Sequence, residues 1–195
     1  MRKTILTLFM FIAVFFTAGF AQAEDTKKYG VYLEPRFLVG IAHADYLSQE
    51  GVSGGEFQHT SNLGGALALG YDFSYNYGAP VRAELEYAIR SNTTFDVNDR
   101  DVKLNNPMTV FANFYYDIKT DTFVTPYIGG GVGFAALNSD TNFAWNVGGG
   151  FSFDMFEDVK LNLGYRYASF GRFEDNNCDG LYRSHELYMG VRYTF

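Results

Sequence analysis

The chain has little cysteine, few basic residues and almost no long apolar runs. A single cysteine, Cys178, among 195 residues excludes a disulfide within the chain, and no cysteine and histidine residues have the spacing of a zinc site. Fifteen basic residues against 22 acidic ones give a formal charge of −7, which excludes sequence-independent nucleic-acid binding. One apolar run is long enough to span a membrane as a helix, at the N-terminus, and a helical bundle needs several.

Residues 1–23 have the features of a secretory signal peptide. A basic start precedes an apolar stretch over 5–20, and the small-residue pattern Ala-Gln-Ala follows at 21–23. The acidic residues that come next disfavour the alternative, a permanent membrane anchor. Cleavage there leaves a mature domain of residues 24–195 with 13 of the 15 basic residues, and hence a charge of −9. We expect an exported protein.

Alternation of apolar and polar residues dominates the rest of the chain, and this period of two is typical of strands with two different faces. Every second residue from 187 to 195 is apolar. Similar patterns predict eight strands of roughly 10–12 residues, the length that a tilted strand needs to cross a bilayer. The predicted strands are 29–41, 62–72, 81–91, 108–118, 126–137, 143–154, 159–168 and 186–195.

The polar faces of these strands hold six acidic and six basic residues. They are Glu34, Arg36, Asp72, Arg82, Glu84, Glu86, Arg90, Asp117, Lys160, Arg166, Glu186 and Arg192. A soluble barrel would turn this face to water, whereas a membrane barrel turns it inward. The export signal and the alternation of short and long connections favour the membrane form. We therefore predict an all-β fold, an eight-stranded antiparallel up-and-down transmembrane β-barrel.

The predicted signal peptide and three further segments carry a resemblance to a known family. The stretches 82–87 (RAELEY) and 126–133 (PYIGGGVG) and the terminal 193–195 (YTF) resemble those of small eight-stranded outer-membrane barrels of Gram-negative bacteria, of the opacity-protein and OmpA-transmembrane-domain type. The resemblance implies an outer-membrane location, contact with its lipid and lipopolysaccharide, and a C-terminal signal, Tyr193 and Phe195, that the barrel-assembly machinery reads. It implies little about function, because family members differ mainly in their outer loops.

The inward charges allow two interpretations, a salt-bridged plug or a narrow channel. An eight-stranded ring is just wide enough for side chains to fill it, and buried charges need partners, so we favour the plug. The glycines at 129, 131 and 133 would face inward and make room for large charged neighbours.

The segment 175–186 matches the ligand spacing of a twelve-residue calcium loop. Its candidate ligands are Asp175, Asn177, Asp179 and Glu186, with Gly180 at the sharp turn. Strands rather than helices flank it, and a turn-rich loop can match the pattern by chance. Calcium is the only cofactor that the sequence suggests.

The histidines His43, His59 and His185 all lie in predicted outer loops or at the outer rim. Ser169 and His185 lie near the outer ends of neighbouring strands, where some eight-stranded barrels carry lipid A-modifying sites. The local sequence signature of those enzymes is missing, so we expect no catalytic site.

The predicted outer loops, 43–61, 92–107 and 172–184, are acidic. With the rims they hold ten acidic residues against four basic ones. Such loops could bind host or envelope ligands, or the protein could be a structural element of the membrane.

Overall fold

The structure, a computed structural model, describes the barrel and its hairpins. The described residues are 29–48, 58–97, 100–104, 106–137, 140–175 and 178–195. Within them, side chains are not described at 44–48, 58–59, 93–97, 100–104, 140, 172–175 and 178–180. The predicted signal peptide, residues 1–23, lies outside the described residues and stays a prediction.

Eight strands close into a ring in which every neighbouring pair is antiparallel. The ring order is β1-β10-β9-β8-β7-β6-β3-β2, and β4 and β5 form a separate hairpin. The predicted up-and-down barrel is confirmed. The strands are β1 Val31–Ser48, β2 Gln58–Asp72, β3 Val81–Arg90, β4 Thr93–Val97, β5 Arg100–Leu104, β6 Met108–Asp117, β7 Val124–Leu137, β8 Asp140–Asp154, β9 Val159–Asp175 and β10 Cys178–Thr194.

The two ends of the barrel differ. Both ends of the described chain and three short connections, 73–80, 118–123 and 155–158, lie at what we call the turn end. The first of these connections holds a short helix, α1, Ser74–Tyr77. Within the described part of the chain, no helix is long and apolar enough to cross a membrane. The opposite end, which we call the hairpin end, carries the longer strand extensions and the β4–β5 hairpin.

Burial follows the alternation that the sequence shows. On β3 the charged residues are buried and the apolar ones between them are exposed, as with Glu86 at 1% and Leu85 at 60% exposure. This is the reverse of a soluble barrel, in which large apolar side chains fill the interior. An apolar outer surface and a charged interior suit a ring that is solvated by lipid.

At the hairpin end the strands are longer than predicted. β1 continues to Ser48 and β2 starts at Gln58, so much of the predicted loop 43–61 is strand. The predicted loop 172–184 is mostly β9 and β10, and the predicted loop 92–107 contains the β4–β5 hairpin. These predictions were wrong because the regular alternation of apolar and polar residues that marks the other strands is interrupted in these segments.

Four tyrosines inside the barrel each lie directly opposite a glycine on the next strand. These cross-strand pairs are Tyr32–Gly70, Tyr115–Gly129, Tyr127–Gly150 and Tyr188–Gly164. At each of these glycines, a Cβ atom would collide with a tyrosine side chain. The prediction that the inward glycines make room for charged neighbours was therefore wrong at Gly129, where the neighbour is a tyrosine ring, and at Gly131, where it is Asn113.

Adding a methyl group at Gly70 should destabilise the barrel. The new Cβ would enter the ring of Tyr32, whose hydroxyl donates a hydrogen bond of 2.9 Å to Glu84. We expect Gly70→Ala to lower the free energy of unfolding by about 1–3 kcal/mol, the usual cost of overpacking. Urea titration of the refolded barrel, followed by tryptophan fluorescence, measures it.

The control is Gly65→Ala on the same strand. Gly65 lies on the outer surface, and the nearest atom to a Cβ there is the Arg36 carbonyl oxygen at 3.9 Å. Its stability should change by no more than about 0.5 kcal/mol. Equal losses in both variants would show that ring contact at Gly70 is not the cause.

Candidate functional site

The charged interior lies about midway along the barrel. β1 contributes Glu34 and Arg36, and β3 contributes Glu84, Glu86 and Arg90. On the opposite wall, β9 and β10 contribute Arg166 and Glu186. All seven side chains are buried, because alternation turns them toward the axis of the ring.

These seven residues, which we call the ionic layer, form one continuous chain of ion pairs. Arg36 contacts three carboxylates, those of Glu34 at 2.8 Å, Glu84 at 2.6 Å and Glu86 at 2.5 Å. Arg166 continues the chain from Glu86 to Glu186, with distances of 2.7 Å to each. No charge in the chain is left without an opposite charge at contact distance.

The last member is Arg90. Its Nε lies 2.5 Å from Glu186, and its Nη1 donates to the Thr109 hydroxyl at 3.0 Å. Both carboxylate oxygens of Glu186 therefore accept from arginines, since Arg166 binds one of them and Arg90 binds both.

One ion pair spans the full width of the barrel. Glu86 is on β3 and Arg166 is on β9, and these two strands are four places apart in the ring of eight, so they face each other across the axis. Their side chains meet at 2.7 Å. A direct contact between opposite walls leaves no open passage between these two side chains.

Aromatic layers lie on both sides of the ionic layer. Toward the hairpin end, Phe111, Phe170 and Tyr182 pack with Leu137 and small residues. Toward the turn end, Tyr115, Tyr127 and Tyr188 form a second cluster, and Tyr127 and Tyr188 are joined by a hydrogen bond of 2.9 Å. The aromatic layers were not predicted from the sequence, although Tyr115, Tyr127 and Tyr188 share the inward parity of the charged residues.

Arginines stack on these aromatic rings and so connect the layers. Arg90 lies 4.6 Å from the centre of the Phe170 ring, and Arg36 lies 5.3 Å from that of Tyr188. Such cation–π contacts stabilise desolvated guanidinium groups.

Four of the predicted lumen charges, Asp72, Arg82, Asp117 and Lys160, are apart from the ionic layer, near the turn end. Arg82 pairs with Asp117 at 2.8 Å. Lys160 pairs with Asp154 at 2.8 Å in a partly exposed position at the rim. Asp72, which the sequence also placed on the polar face, accepts hydrogen bonds from Ser74.

Arg192 is buried but has no ion pair among the described residues. It donates to the Ser152 hydroxyl at 3.3 Å and lies 5.4 Å from the centre of the Tyr32 ring. Its Nε and Nη1 have no hydrogen-bond partner in the described part of the chain. Arg192 therefore provides a comparison for the paired arginines.

The candidate assembly signal lies at the seam where β1 meets β10. Tyr193 and Phe195 are in edge contact, with ring centres 5.0 Å apart, and Phe195 is 54% exposed on the outer surface. The backbone N–H of Phe195 donates to Val31 at 2.9 Å. Recognition of these residues by an assembly machinery stays a prediction.

The candidate calcium ligands are only partly described. Asn177 lies outside the described residues, and nothing is described of the side chains of Asp175 and Asp179. Glu186 lies in the ionic layer, where two arginines occupy its carboxylate. No group of three or more possible metal ligands occurs among the described side chains. The calcium loop stays a prediction, and Glu186 is not available to it because two arginines bind its carboxylate.

Ser169 and His185 are on neighbouring strands, but the structure gives His185 a different hydrogen-bond partner. The Nδ1 atom of His185 lies 2.6 Å from the Tyr165 hydroxyl. Ser169 is 7% exposed and lies beside Trp145 in the β8–β9 register. The geometry thus gives no serine–histidine pair of the kind that nucleophilic catalysis uses.

Comparison with known proteins gives the family. The model of the outer membrane protein beta-barrel domain matches residues 8–195. The chain belongs to this family. The resemblance that the sequence indicated is therefore confirmed, at the level of the eight-stranded outer-membrane barrel.

The similar proteins include an outer membrane protein, an opacity protein and a surface protein. Outer membrane protein PagN of Salmonella typhimurium is 25% identical over 174 residues, covering 68% of this chain and 73% of PagN. Opacity protein opA60 of Neisseria gonorrhoeae is 26% identical over 193 residues, covering 91% and 74%. The crystal structure of Neisserial surface protein A shares the fold, with a TM-score of 0.59 at 22% identity over 85% of this chain and 97% of that one.

Removing a paired arginine should cost far more than removing Arg192. Arg166→Met leaves Glu86 without its partner on the opposite wall and Glu186 with one arginine fewer. Breaking a buried pair costs about 3–5 kcal/mol because a desolvated charge remains. Arg192→Met removes a cation with unsatisfied donors, so we expect a loss of no more than about 1 kcal/mol. Urea unfolding of both refolded variants measures the difference, and equal losses would contradict this assignment.

Proposed function

We propose that this protein is an outer-membrane surface protein with a closed lumen, whose hairpin end binds host or envelope ligands. The observation that carries the proposal is the contact between Glu86 and Arg166 across the barrel axis. A ring whose opposite walls are in contact has no room for solutes, so its function lies on its outer surface and hairpins. The runner-up interpretation, a narrow channel, requires this layer to open.

The energetics of the ionic layer support closure. Opening a passage would separate Arg166 from Glu86 or Glu186, and each such separation would leave buried charges without a partner, which is costly. Arg36 holds three carboxylates at once, so a rotamer change there disrupts several contacts together. The aromatic layers on either side add a second barrier to water.

The hairpin end supports the binding part of the proposal. β1 with β2 and β9 with β10 continue as paired ribbons well beyond the apolar band, and β4 with β5 adds a separate hairpin. Ribbons stiffened by backbone hydrogen bonds present their side chains at fixed spacing. Their acidic excess favours basic partners or divalent cations that bridge lipopolysaccharide.

Family membership and the apolar outer band support placement in the outer membrane, with lipid and lipopolysaccharide as its surroundings. In such barrels the short turns lie in the periplasm and the long loops outside, so the hairpin end would face outward. We also propose that the C-terminal strand, through Tyr193 and Phe195, is recognised during assembly, and that the barrel has no catalytic site.

The closed lumen predicts that the barrel does not conduct ions. Protein refolded and reconstituted in a planar bilayer should give no reproducible current steps, whereas the double variant Glu86→Ala with Arg166→Ala, which removes the contact across the axis, should give small ones. A large porin in the same bilayers controls for insertion. Reproducible steps from the unaltered protein would overturn the plug.

The binding proposal predicts that shortening the hairpins removes adhesion and leaves the barrel intact. Residues 173–180 can be replaced by an Asn-Gly turn, because Arg172 and Leu181 are paired and need only a two-residue connection. This cut spares Tyr182, which packs inside the barrel. A second variant removes the β4–β5 hairpin.

Cells that express each variant are compared for adhesion to host cells and for serum resistance. A Gly/Ser replacement of turn-end residues 119–122 is the matched control, since it changes the opposite end of the barrel. Loss of either property in the hairpin variants alone supports the proposal. Unchanged behaviour with intact barrels would favour a purely structural role.

A further inference from the structure

A pocket, which we call the vestibule, covers the mouth of the barrel at the turn end. Its volume of about 370 Å³ is within the range of small-molecule sites. One wall comes from the connection 73–80 between β2 and β3, and the other from the connection 155–158 between β8 and β9. These strand pairs are four places apart in the ring of eight, so the vestibule lies over the barrel axis. The lining side chains are Tyr75, Asp154, Met155, Phe156, Glu157 and Lys160.

The vestibule offers both apolar contacts and a weakly held positive charge. Tyr75, Met155 and Phe156 provide the apolar contacts, and Phe156 is 70% exposed. The positive charge is Lys160, whose Nζ lies 2.8 Å from Asp154 in a partly exposed ion pair. Such pairs contribute little to stability, because water screens them. Lys160 can therefore exchange one carboxylate for another at small cost.

The guanidinium group of Arg192 lies one inward position deeper than this ion pair. Arg192 is opposite Lys160 in the register of β9 and β10. Its Nη2 donates to the hydroxyl of Ser152, the inward residue that precedes Asp154 on β8. Arg192 is only 2% exposed, and its Nε and Nη1 have no hydrogen-bond partner in the part of the chain that the structure describes. The floor of the vestibule is thus a buried cation with unsatisfied donors.

The neighbouring carboxylate on β1 is bound to other groups. Glu34 is the inward residue that follows Tyr32, near Arg192 in the register of β1 and β10. Its two oxygens accept from Arg36 at 2.8 Å and from Asn162 at 2.7 Å. The contacts that Arg192 does make, with a hydroxyl and with the ring of Tyr32, are to neutral groups. A buried guanidinium in such surroundings is stabilised by an anion that reaches it from outside.

We propose that the vestibule binds a small organic anion that enters from the turn end. Its carboxylate or phosphate group is held by Lys160 and Arg192, since guanidinium and ammonium groups form charge-assisted hydrogen bonds with both kinds of oxyanion. Its apolar body packs against Tyr75, Met155 and Phe156. The ionic layer closes the lumen farther in, so the site is a blind pocket. It is separate from the ligand binding proposed for the hairpin end and does not depend on it.

Asp154 is the competing anion at this site. In the structure it holds Lys160, so the ligand has to take its place beside Lys160 and extend one position inward to Arg192. Removing the charge of Asp154 should therefore tighten binding of the ligand. Because Asp154 lies at the exposed rim, this substitution leaves the interior unchanged.

Binding of benzoate and of phenyl phosphate to the refolded full barrel tests the proposal. Calorimetry is carried out in a nonionic detergent at low salt, so that other anions do not compete. We expect one molecule bound per barrel, and the tighter of the two compounds identifies the preferred head group. Acetate and inorganic phosphate carry the same head groups without the ring, and they should bind about tenfold more weakly because they lose the apolar contacts.

Four variants separate the parts of the site. Arg192→Met should weaken binding of benzoate about tenfold, because charge-assisted hydrogen bonds are lost. Asp154→Asn should tighten it about threefold, the usual strength of an exposed ion pair. Phe156→Ala should weaken binding of benzoate and leave that of acetate unchanged. Lys119→Met is the matched control, because it removes an exposed positive charge from another connection at the turn end, and binding should be unchanged.

Several results would overturn the proposal. One is the absence of binding of either aromatic compound at millimolar concentration. Another is equally tight binding in the unaltered protein and in Arg192→Met. Equal weakening by Lys119→Met and Arg192→Met would show a general attraction of the turn end for anions. Asp154→Asn tests the site even where Arg192→Met does not refold, since a failure to tighten binding would contradict the exchange at Lys160.

Discussion

A charge buried inside an eight-stranded ring is costly unless it is paired, and all seven members of the ionic layer have an opposite charge at contact distance. Arg36, Arg90 and Arg166 satisfy this requirement with four glutamates drawn from β1, β3 and β10. Because each arginine contacts carboxylates on other strands, the ion pairs depend on strand register around much of the ring. A shift of one residue in any of these strands would turn its charges toward lipid and leave their partners unpaired.

The tyrosine–glycine pairs also require one particular strand register, through steric packing rather than through charge. Tyr32 fits inside the ring only because Gly70 lies opposite, and its hydroxyl then donates to Glu84, which belongs to the ionic layer. Packing and electrostatics therefore agree on a single register. This agreement explains how an interior with so many charges can be a specific core, with the apolar side chains left for the outer surface.

The hairpin end is under a looser constraint. There the strands extend past the ionic layer and the aromatic layers, and the backbone pairing of β1 with β10 continues to Ser48 and Asp179.

Alternation in the sequence was enough to establish the barrel, its strand number and the inward set of charges, because the period of two is a local property of the backbone. The predicted strand ends were wrong at the hairpin end, where the alternation is interrupted. The partner of each charge and the glycine opposite each tyrosine depend on register and ring closure. Register and ring closure bring together residues that are far apart in sequence, such as Glu86 and Arg166. Only the closed tertiary structure therefore determines these contacts.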